Sequence, residues 1–472
     1  MNTHDIRRTK IIATLGPATN SLDMIEKMAL AGMNIARINM SHAKPEQVRE
    51  NVENLRAVAK KIGRTIGVLM DLQGPAIRTG ELPVALNLQP GNRIALTVRG
   101  EVSEEEHSVD VNYDHLVDDI KVGDIVLVDN GGIHLKVLTK KRNQLQCEVL
   151  TEGVLGSRRH INLPGVRVKL PALTDKDIAD VELGIELGVD FIAMSFCREA
   201  EDVLKLKAIL DYRKASQRVV AKLEDQEAIR NLNEIITVAD AIMVARGDLG
   251  IECPYEELPI IQRRIVKSCV MRGRPVIVAT HMLESMIENP SPTRAEITDV
   301  SNAVFEQCDA IMLSGETSVG KYPLKCLEIM DRIAKRVERS GGANYSDQAR
   351  MDTMGAKMLK AATVMAKETS ADALIVFTRS GGMARNASWL RPLHTPIYAF
   401  TDNARLLPQL PIHWGIQPFM MEFANDPAEN VDRAIQLLKE QQLIQSGANI
   451  VAVTEVEVRG RLVDTIMREE VE

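Results

Sequence analysis

A lysine and a carboxylate two residues apart in an apolar run are the first chemistry the chain offers. In Arg218-Val-Val-Ala-Lys-Leu-Glu-Asp-Gln226 the alternation of a strand sends Val219, Ala221 and Leu223 to one face and Val220, Lys222 and Glu224 to the other. Taking both charges out of water costs on the order of several kcal/mol each, which calls for a compensating metal, a polyanionic ligand or open solvent. A second apolar run, Asp240–Gly250, ends as abruptly in charge. If the two are neighbouring parallel strands, their carboxyl ends gather Lys222, Glu224 and Asp248. Two carboxylates with room for water suit a hard divalent cation such as Mg²⁺, and a lysine beside them suits a phosphoryl group. An exposed Lys–Glu–Asp salt-bridge cluster would show the same spacing with no chemistry attached.

Other polar residues fall at similar places. In Asn34–His42, Ile35, Arg37, Asn39 and Ser41 share one face and Ala36, Ile38 and Met40 the other. Polar groups in that register need partners. Arg37 suits a phosphate, because its fork donates two charge-assisted bonds at once. Asn39, Ser41 and Asp71 supply oxygens for a weakly held monovalent cation, or else hydrogen-bond to one another. His42, next to Ser41, is placed for a nucleotide contact. After Ala245, free backbone N–H groups opening a short helical turn would hold a carboxylate or phosphate oxygen, with Gly247 allowing close approach. An ordinary glycine turn accounts for the same residues. Thr280, counted in register with Val276 and Val278, is expected to face the same centre, and His281 to point away. Far along the chain, Thr378-Arg379-Ser380-Gly381-Gly382 lies between a strand and a helix, as a cradle for a sugar phosphate or as a plain glycine-rich helix entry.

The elements that must hold these residues follow a short strand, turn, amphipathic helix rhythm. Lys10–Gly16, Asn34–His42 and Gly67–Asp71 read as three strands, with a helix at 21–31 capped by Ser21 and another at 45–62. From Leu72 to Leu170 helical periodicity disappears, and alternating segments such as 93–98 and 124–128 stand between turn signals, Asn130-Gly131 among them. The rhythm resumes with strands at 191–195, 219–224, 241–245, 275–280 and 310–314, which makes eight βα units. That is the count of a (β/α)8 barrel, whose working residues sit at the carboxyl ends of strands. A doubly wound sheet is the alternative, but its glycine-rich phosphate fingerprint is missing. The expected architecture is α/β: a TIM barrel from 1–71 and 171–343, an inserted β-barrel lid at 72–170, and a carboxyl-terminal α/β domain at 344–472.

Composition narrows the function. The 472 residues carry a net charge of −7, which argues against nucleic acid as the main partner, while a local basic cleft remains compatible with small anions. Aromatic residues make up only 3%, so the core is aliphatic. The six cysteines are scattered with no C-x-x-C pair, as in a reducing compartment. The first ten residues lack the apolar core of a signal peptide, and no run approaches a membrane span, so a cytoplasmic protein is expected.

At this point the motifs converge. Thr9–Thr19 (Thr-Lys-Ile-Ile-Ala-Thr-Leu-Gly-Pro-Ala-Thr), Asn34–His42, Asp71–Gly80, Ala221–Glu224, Met243–Glu252, Ala279–Met286, Pro292–Glu296 and Ser314–Thr317 together resemble the pyruvate kinase family. The resemblance runs in order through barrel and lid and more loosely through the last domain. It implies phosphoryl transfer from phosphoenolpyruvate to ADP, giving pyruvate and ATP. By residue, it implies Mg²⁺ (or Mn²⁺) on Glu224 and Asp248, charge stabilisation by Lys222 and Arg37, the substrate carboxylate at Gly247 and Asp248, and Thr280 near the enolate carbon. It implies K⁺ at Asn39, Ser41, Asp71 and Leu72, nucleotide contacts from Asn39, His42, Arg78 and Arg159, a homotetramer and heterotropic activation, for which the loop 378–382 with its cradle for a sugar phosphate is the candidate effector site.

Four departures from the family pattern bear on these expectations. Ala76 stands where Glu or Lys is common at a position tied to K⁺ dependence; Leu72 and Gln73 look like the K⁺-independent type, yet the replacing lysine is absent. Arg159 replaces a common lysine, keeping charge and changing geometry. His281 replaces a common glutamine, and Thr454–Arg461 lacks a glycine-rich effector loop. Rival readings are a catalytically silent regulatory homologue and another enolate-forming barrel enzyme of aldolase-like lyase type. Intact Lys222, Glu224, Asp248 and Arg37 oppose the first, and the lid with Arg37 opposes the second.

Overall fold

The computed structural model describes residues 6–100, 107–458 and 461–472, with the side chains of 455–458 and 461–462 left aside. Residues 1–5 of the amino-terminal stretch and 459–460 of the tail thus lie outside the described residues.

Eight parallel strands close a barrel: β1 (Lys10–Thr14), β2 (Ile35–Asn39), β3 (Gly67–Asp71), β4 (Phe191–Met194), β5 (Arg218–Leu223), β6 (Ala241–Ala245), β7 (Val276–Ala279) and β8 (Ala310–Leu313). Each strand pairs with its sequence neighbour, and β8 returns to β1. Side-chain alternation sorts the strands into two cores. Val219, Ala221 and Leu223 pack outward among the helices, whereas Val220 meets Ile12, Ile35, Leu69, Met243 and Ile277 inside the barrel. With the interior filled by aliphatic groups, Lys222 and Glu224, further along the same face of β5, come out at the carboxyl end.

Several family-like motifs turn out to be the devices that shape this frame. Thr174 and Thr293 each begin a helix with a reciprocal capping box, to Asp177 and Glu296. Glu296 also accepts from Ser285, tying the loop after β7 to the next helix. Glu316 of the Ser314–Thr317 motif accepts from Leu283 N at 2.9 Å and Ser314 N at 2.7 Å, so one buried carboxylate joins the loops after β7 and β8.

Between β3 and the helix Asp175–Leu187 lies the inserted lid, a six-stranded sheet with an additional two-stranded one, built over a core of Leu96, Val111, Val126, Leu135 and Leu145. The Asn130-Gly131 signal does form the turn between antiparallel Ile125–Val128 and Ile133–Lys140, with Asp129, Asn130 and Gly131 all at positive φ.

The carboxyl-terminal α/β domain holds β9 (Ala373–Phe377), β10 (Ile397–Thr401), β11 (Ile416–Met420), β12 (Asn449–Val458) and β13 (Arg461–Glu470), in the order β11-β10-β9-β12-β13. The tail, expected only to lack an effector loop, is the hairpin β12–β13, with β13 antiparallel at the sheet edge. The domain is pinned under the barrel by Asp309, which receives Arg391 at 2.7 and 3.0 Å and Trp414 N at 3.1 Å. Lys10, at the base of β1, donates to Ile416 O at 2.5 Å. A cavity of about 1290 Å³ lies at this floor, away from the strand ends that carry the chemistry. Among the described residues no helix is long and apolar enough to cross a membrane.

Candidate active site

The carboxyl end of β5 delivers Lys222 and Glu224 side by side, 8% and 2% exposed. Lys222 Nζ lies 3.0 Å from Glu224 Oε1 and 3.1 Å from Asp71 Oδ1, and donates to Ser195 Oγ at 2.6 Å. Asp71, the last residue of β3, turns its other oxygen to Arg37 Nε of β2 at 2.7 Å. Arg37 is braced from β1 by Thr14 Oγ1 at 3.1 Å. The carboxyl ends of five successive barrel strands, β1 to β5, thus form one hydrogen-bonded ring of charge. The spacing of Lys222 and Glu224 led to the expectation that a metal, a ligand or water would offset the buried ammonium. In the folded chain Asp71, Glu224 and Ser195 do so directly, because parallel strands β3, β4 and β5 bring their ends to one level.

The electrostatics follow. Burial acts to raise the Asp71 carboxyl, but Lys222 and then Arg37 outweigh it and hold it below its ordinary value. Burial acts to lower Lys222, and Asp71 and Glu224 outweigh it in turn, so the ammonium stays charged. Glu224 is pushed up by burial, relieved by Lys222 and pushed further by Asp248. Of the two carboxylates that share Lys222, Glu224 therefore takes a proton first. Its other oxygen accepts from Phe196 N at 2.6 Å, which fixes the carboxylate plane.

Asp248 lies on the short helix Arg246–Glu252 that follows β6. It is half-buried, and among the described residues none donates to its carboxylate, which lines the same cleft as Glu224. Two carboxylates on a shared cleft, one open and one short of countercharge, fit a hard divalent ion whose other positions go to water and ligand oxygens. No group of three or more His, Cys, Asp or Glu side chains with metal-ligand spacing occurs among the described residues.

Thr280 takes a different position from the one its register suggested, and neither it nor Gly247 is among the described residues that line the cleft. Val276 and Val278 face the helices, and Ile277 and Ala279 face the barrel, so strict alternation would turn residue 280 outward. Instead β7 ends at Ala279, and Thr280 and His281 adopt left-handed backbone at φ 66° and 52°. This swings Thr280 Oγ1 to accept from Gly247 N at 2.7 Å while donating to Ala279 O at 2.6 Å. Arg246 holds the turn by donating to Ala279 O and Thr280 O. The Gly247 N–H expected to be free is thus engaged. His281 is exposed.

The lid closes over this ring to leave a cleft of about 390 Å³. From the barrel side it is lined by Arg37, Asn39, Ser41, His42, Leu72, Lys222, Glu224 and Asp248, and from the lid by Arg78 and Arg159. Asn39 Oδ1 accepts from Ser41 N at 3.2 Å, and Leu72 O from Ser195 Oγ at 2.8 Å. Arg159 is steadied by Asp129 at 3.3 Å, and Arg78 donates to Arg158 O at 3.3 Å. Ala76 lines the cleft without adding charge. Sequence reasoning missed Ser195, Phe196 and Arg158, which also face the cleft, and His160, whose ring lies 5.8 Å from that of Phe196. Ser195 ends a strand already assigned, so strand-end position was the available signal. The others depend on how the lid folds back.

The loop 378–382 is remote from this cleft. Gly381 is left-handed and donates its N–H to Thr378 Oγ1 at 2.9 Å, and a helix starts at Gly382. Arg379 pairs with Asp402 at 3.1 Å and, with Ser380, opens on a separate cavity of about 390 Å³ beside the barrel floor.

Comparison with known proteins agrees with this arrangement. Residues 6–327 match the family model described as pyruvate kinase, barrel domain, and residues 356–466 that described as pyruvate kinase, alpha/beta domain. Plastidial pyruvate kinase 3 of Arabidopsis thaliana is 41% identical over 451 residues, 95% of this chain and 78% of that protein. The pyruvate kinase of Geobacillus stearothermophilus is 39% identical over 464 residues, 96% of this chain and 78% of that protein. A crystal structure of a pyruvate kinase from Cryptosporidium parvum superposes with a TM-score of 0.93 at 32% identity, covering 99% of this chain and 97% of that one. With both family domains matched in order and the charged ring at the barrel mouth intact, the chain belongs to the pyruvate kinase family.

Proposed function

We propose that this chain carries the phosphoryl group of phosphoenolpyruvate to ADP, giving pyruvate and ATP, in the cleft between barrel mouth and lid. The single observation that carries the reading is the convergence of Lys222, Arg37, Glu224 and Asp248 on one face of that cleft, with Arg78 and Arg159 opposite. Such a transfer asks the protein mainly to position charge and stabilise it as it moves.

In this reading Glu224 and Asp248 hold Mg²⁺ or Mn²⁺. When bound, the ion neutralises oxygens of the substrate and of the group in flight. Arg37 and Lys222 donate to the transferred phosphoryl group, each already fixed by Asp71 and so needing no reorganisation as the bond breaks. On the barrel side three carboxylates, Asp71, Glu224 and Asp248, stand with two cations, Arg37 and Lys222, and the lid adds Arg78, Arg158 and Arg159 against Asp129. A divalent cation held by Glu224 and Asp248 would offset the excess carboxylate on the barrel side, leaving Arg37, Lys222 and the lid arginines to meet an anionic substrate. The backbone near Gly247 and Asp248 seats the substrate carboxylate, the Gly247 N–H itself being given to Thr280 Oγ1. Thr280 stands near the carbon that receives a proton as the enolate becomes pyruvate, and its bond to Gly247 N keeps that seat in place. Asn39, His42, Arg78 and Arg159 contact the nucleotide. K⁺ is assigned to Asn39, Ser41, Asp71 and the Leu72 carbonyl.

The units 1–71 with 171–343, 72–170 and 344–472 serve as catalytic barrel, lid and regulatory domain. A homotetramer, activation by a sugar phosphate at 378–382, and a cytoplasmic location complete the reading. The test is a lactate-dehydrogenase-coupled assay with phosphoenolpyruvate, ADP and Mg²⁺. Steady oxidation of NADH that needs all three supports the proposal. No turnover under these conditions, with or without K⁺ and sugar phosphates, overturns it.

A further inference from the structure

The lid joins the barrel by two straps, and each is held differently. The outgoing strap is tied close to β3: Leu72 N donates to Ala193 O at 3.0 Å and Gly74 N to Asp177 Oδ1 at 3.0 Å. At Gly74, φ is 73° and an added Cβ would come within 2.8 Å of Ser195 Cβ, so this strap is pressed against the barrel. The return strap leaves the lid sheet at Asn162 and turns at Gly165, where φ is 75°. There the barrel-side partner is Glu252. Asn162, 5% exposed, donates through Nδ2 to Glu252 Oε1 at 3.1 Å, both groups being buried. The Leu163 N–H faces the same carboxylate. Gln226, two residues past Glu224, donates to Glu252 O at 2.6 Å. Glu252 is also the last residue of the helix that begins with Arg246, Gly247 and Asp248.

We propose that Glu252 and Asn162 form the latch that sets the lid's closed position over the barrel mouth. Both are positioning residues, acting on the nucleotide through Arg78 and Arg159 of the lid. A narrow cavity of about 70 Å³ beside the contact leaves the strap room to move when the bond opens. The inference rests on the phosphoryl-transfer reading for its kinetic arm, since it supposes that the lid holds the nucleotide and the barrel holds the other substrate.

The test compares Glu252→Ala, Asn162→Ala, their double variant and Glu252→Gln in the full chain, by steady-state kinetics and by amide hydrogen exchange of residues 161–170 without substrates. Each alanine variant is expected to raise KM for ADP about tenfold while KM for phosphoenolpyruvate moves by less than about twofold, the mark of a lid contact rather than a general loss of structure. The double variant should be no worse than the singles, because both remove one interaction. Glutamine still accepts through its amide oxygen and should restore most of the affinity. Exchange in 161–170 should speed up in the alanine variants only. If Glu252→Ala does not fold, Asn162→Ala and Glu252→Gln carry the comparison. Additive losses, parallel changes in both KM values, or unaltered exchange would overturn the latch. A parent protein without turnover would defeat the phosphoryl-transfer reading, while the exchange arm would still decide the latch.

Discussion

Lys222 Nζ stands 3.1 Å from Asp71 Oδ1, and the same carboxylate holds Arg37 through its other oxygen. One aspartate, 1% exposed, thus fixes both cations that the barrel strands bring to the cleft. Its two partners come from strands on either side of β3 in the chain, so the pairing exists only once the barrel has closed.

Asp71→Asn removes the charge and keeps the shape. Breaking a buried pair of this kind typically costs about 3–5 kcal/mol, because the remaining charges lose their partner. Turnover should fall by at least about a hundredfold as Lys222 and Arg37 lose their fixed orientation. Thermal unfolding should begin at lower temperature. Kinetics and a melting curve on the same preparation check both; an unchanged midpoint would show that the clamp carries no stability.

Ser195→Ala removes a 2.6 Å acceptor from Lys222 and a donor to Leu72 O. Hydrogen bonds to charged groups are worth roughly 1.5–3 kcal/mol, so kcat should fall by about tenfold to a hundredfold. Asp71 and Glu224 still hold the ammonium, so KM for phosphoenolpyruvate should stay close to that of the parent. Loss of less than twofold would make Ser195 a bystander.

K⁺ meets a site whose acid is already engaged. Both Asp71 oxygens face cations of the protein, and Ala76 brings no replacing charge. The expected outcome is partial stimulation, below about tenfold, when KCl replaces tetramethylammonium chloride at constant ionic strength. Identical rates in the two salts would remove Asn39, Ser41, Asp71 and Leu72 from the role of ligands.

Lys10 gives a pH signature of stability. Burial first, then Arg7, lowers its ammonium from 10.5 to about 7 in the folded chain. Between those values the unfolded chain binds more protons than the folded one, so stability rises with pH across the interval. Lys10→Met removes that slope. At pH 7 the variant should be more stable than the parent by an amount on the order of a few kcal/mol, less the lost bond to Ile416 O, with the gap closing toward pH 10. Denaturant titrations at pH 7 and 10 measure it, and a difference independent of pH would contradict the assignment.

The sequence made the frame legible where a local rule was sufficient. Period-two alternation put Lys222 with Glu224 and Arg37 with Asn39 on the correct faces, and the Asn130-Gly131 turn needed only its own backbone preferences. It failed where geometry is set by distant contacts. Thr280 faces Gly247 because Arg246 stabilises a left-handed turn, which no count of alternating residues contains. Ser195 and Asp71 were visible as strand ends, but their hold on Lys222 depends on the relative heights of three strands. Strand β13 sits at a sheet edge and mixes charged with apolar residues, so its pattern alone does not announce a strand.

The most direct measurement of the central claim is the turnover of Lys222→Met with phosphoenolpyruvate, ADP and Mg²⁺ in the coupled assay. A group that steadies charge as the phosphoryl moves should, when removed, lower kcat by at least about a hundredfold while KM for phosphoenolpyruvate changes little. Near-normal turnover in a folded Lys222→Met protein would contradict the account.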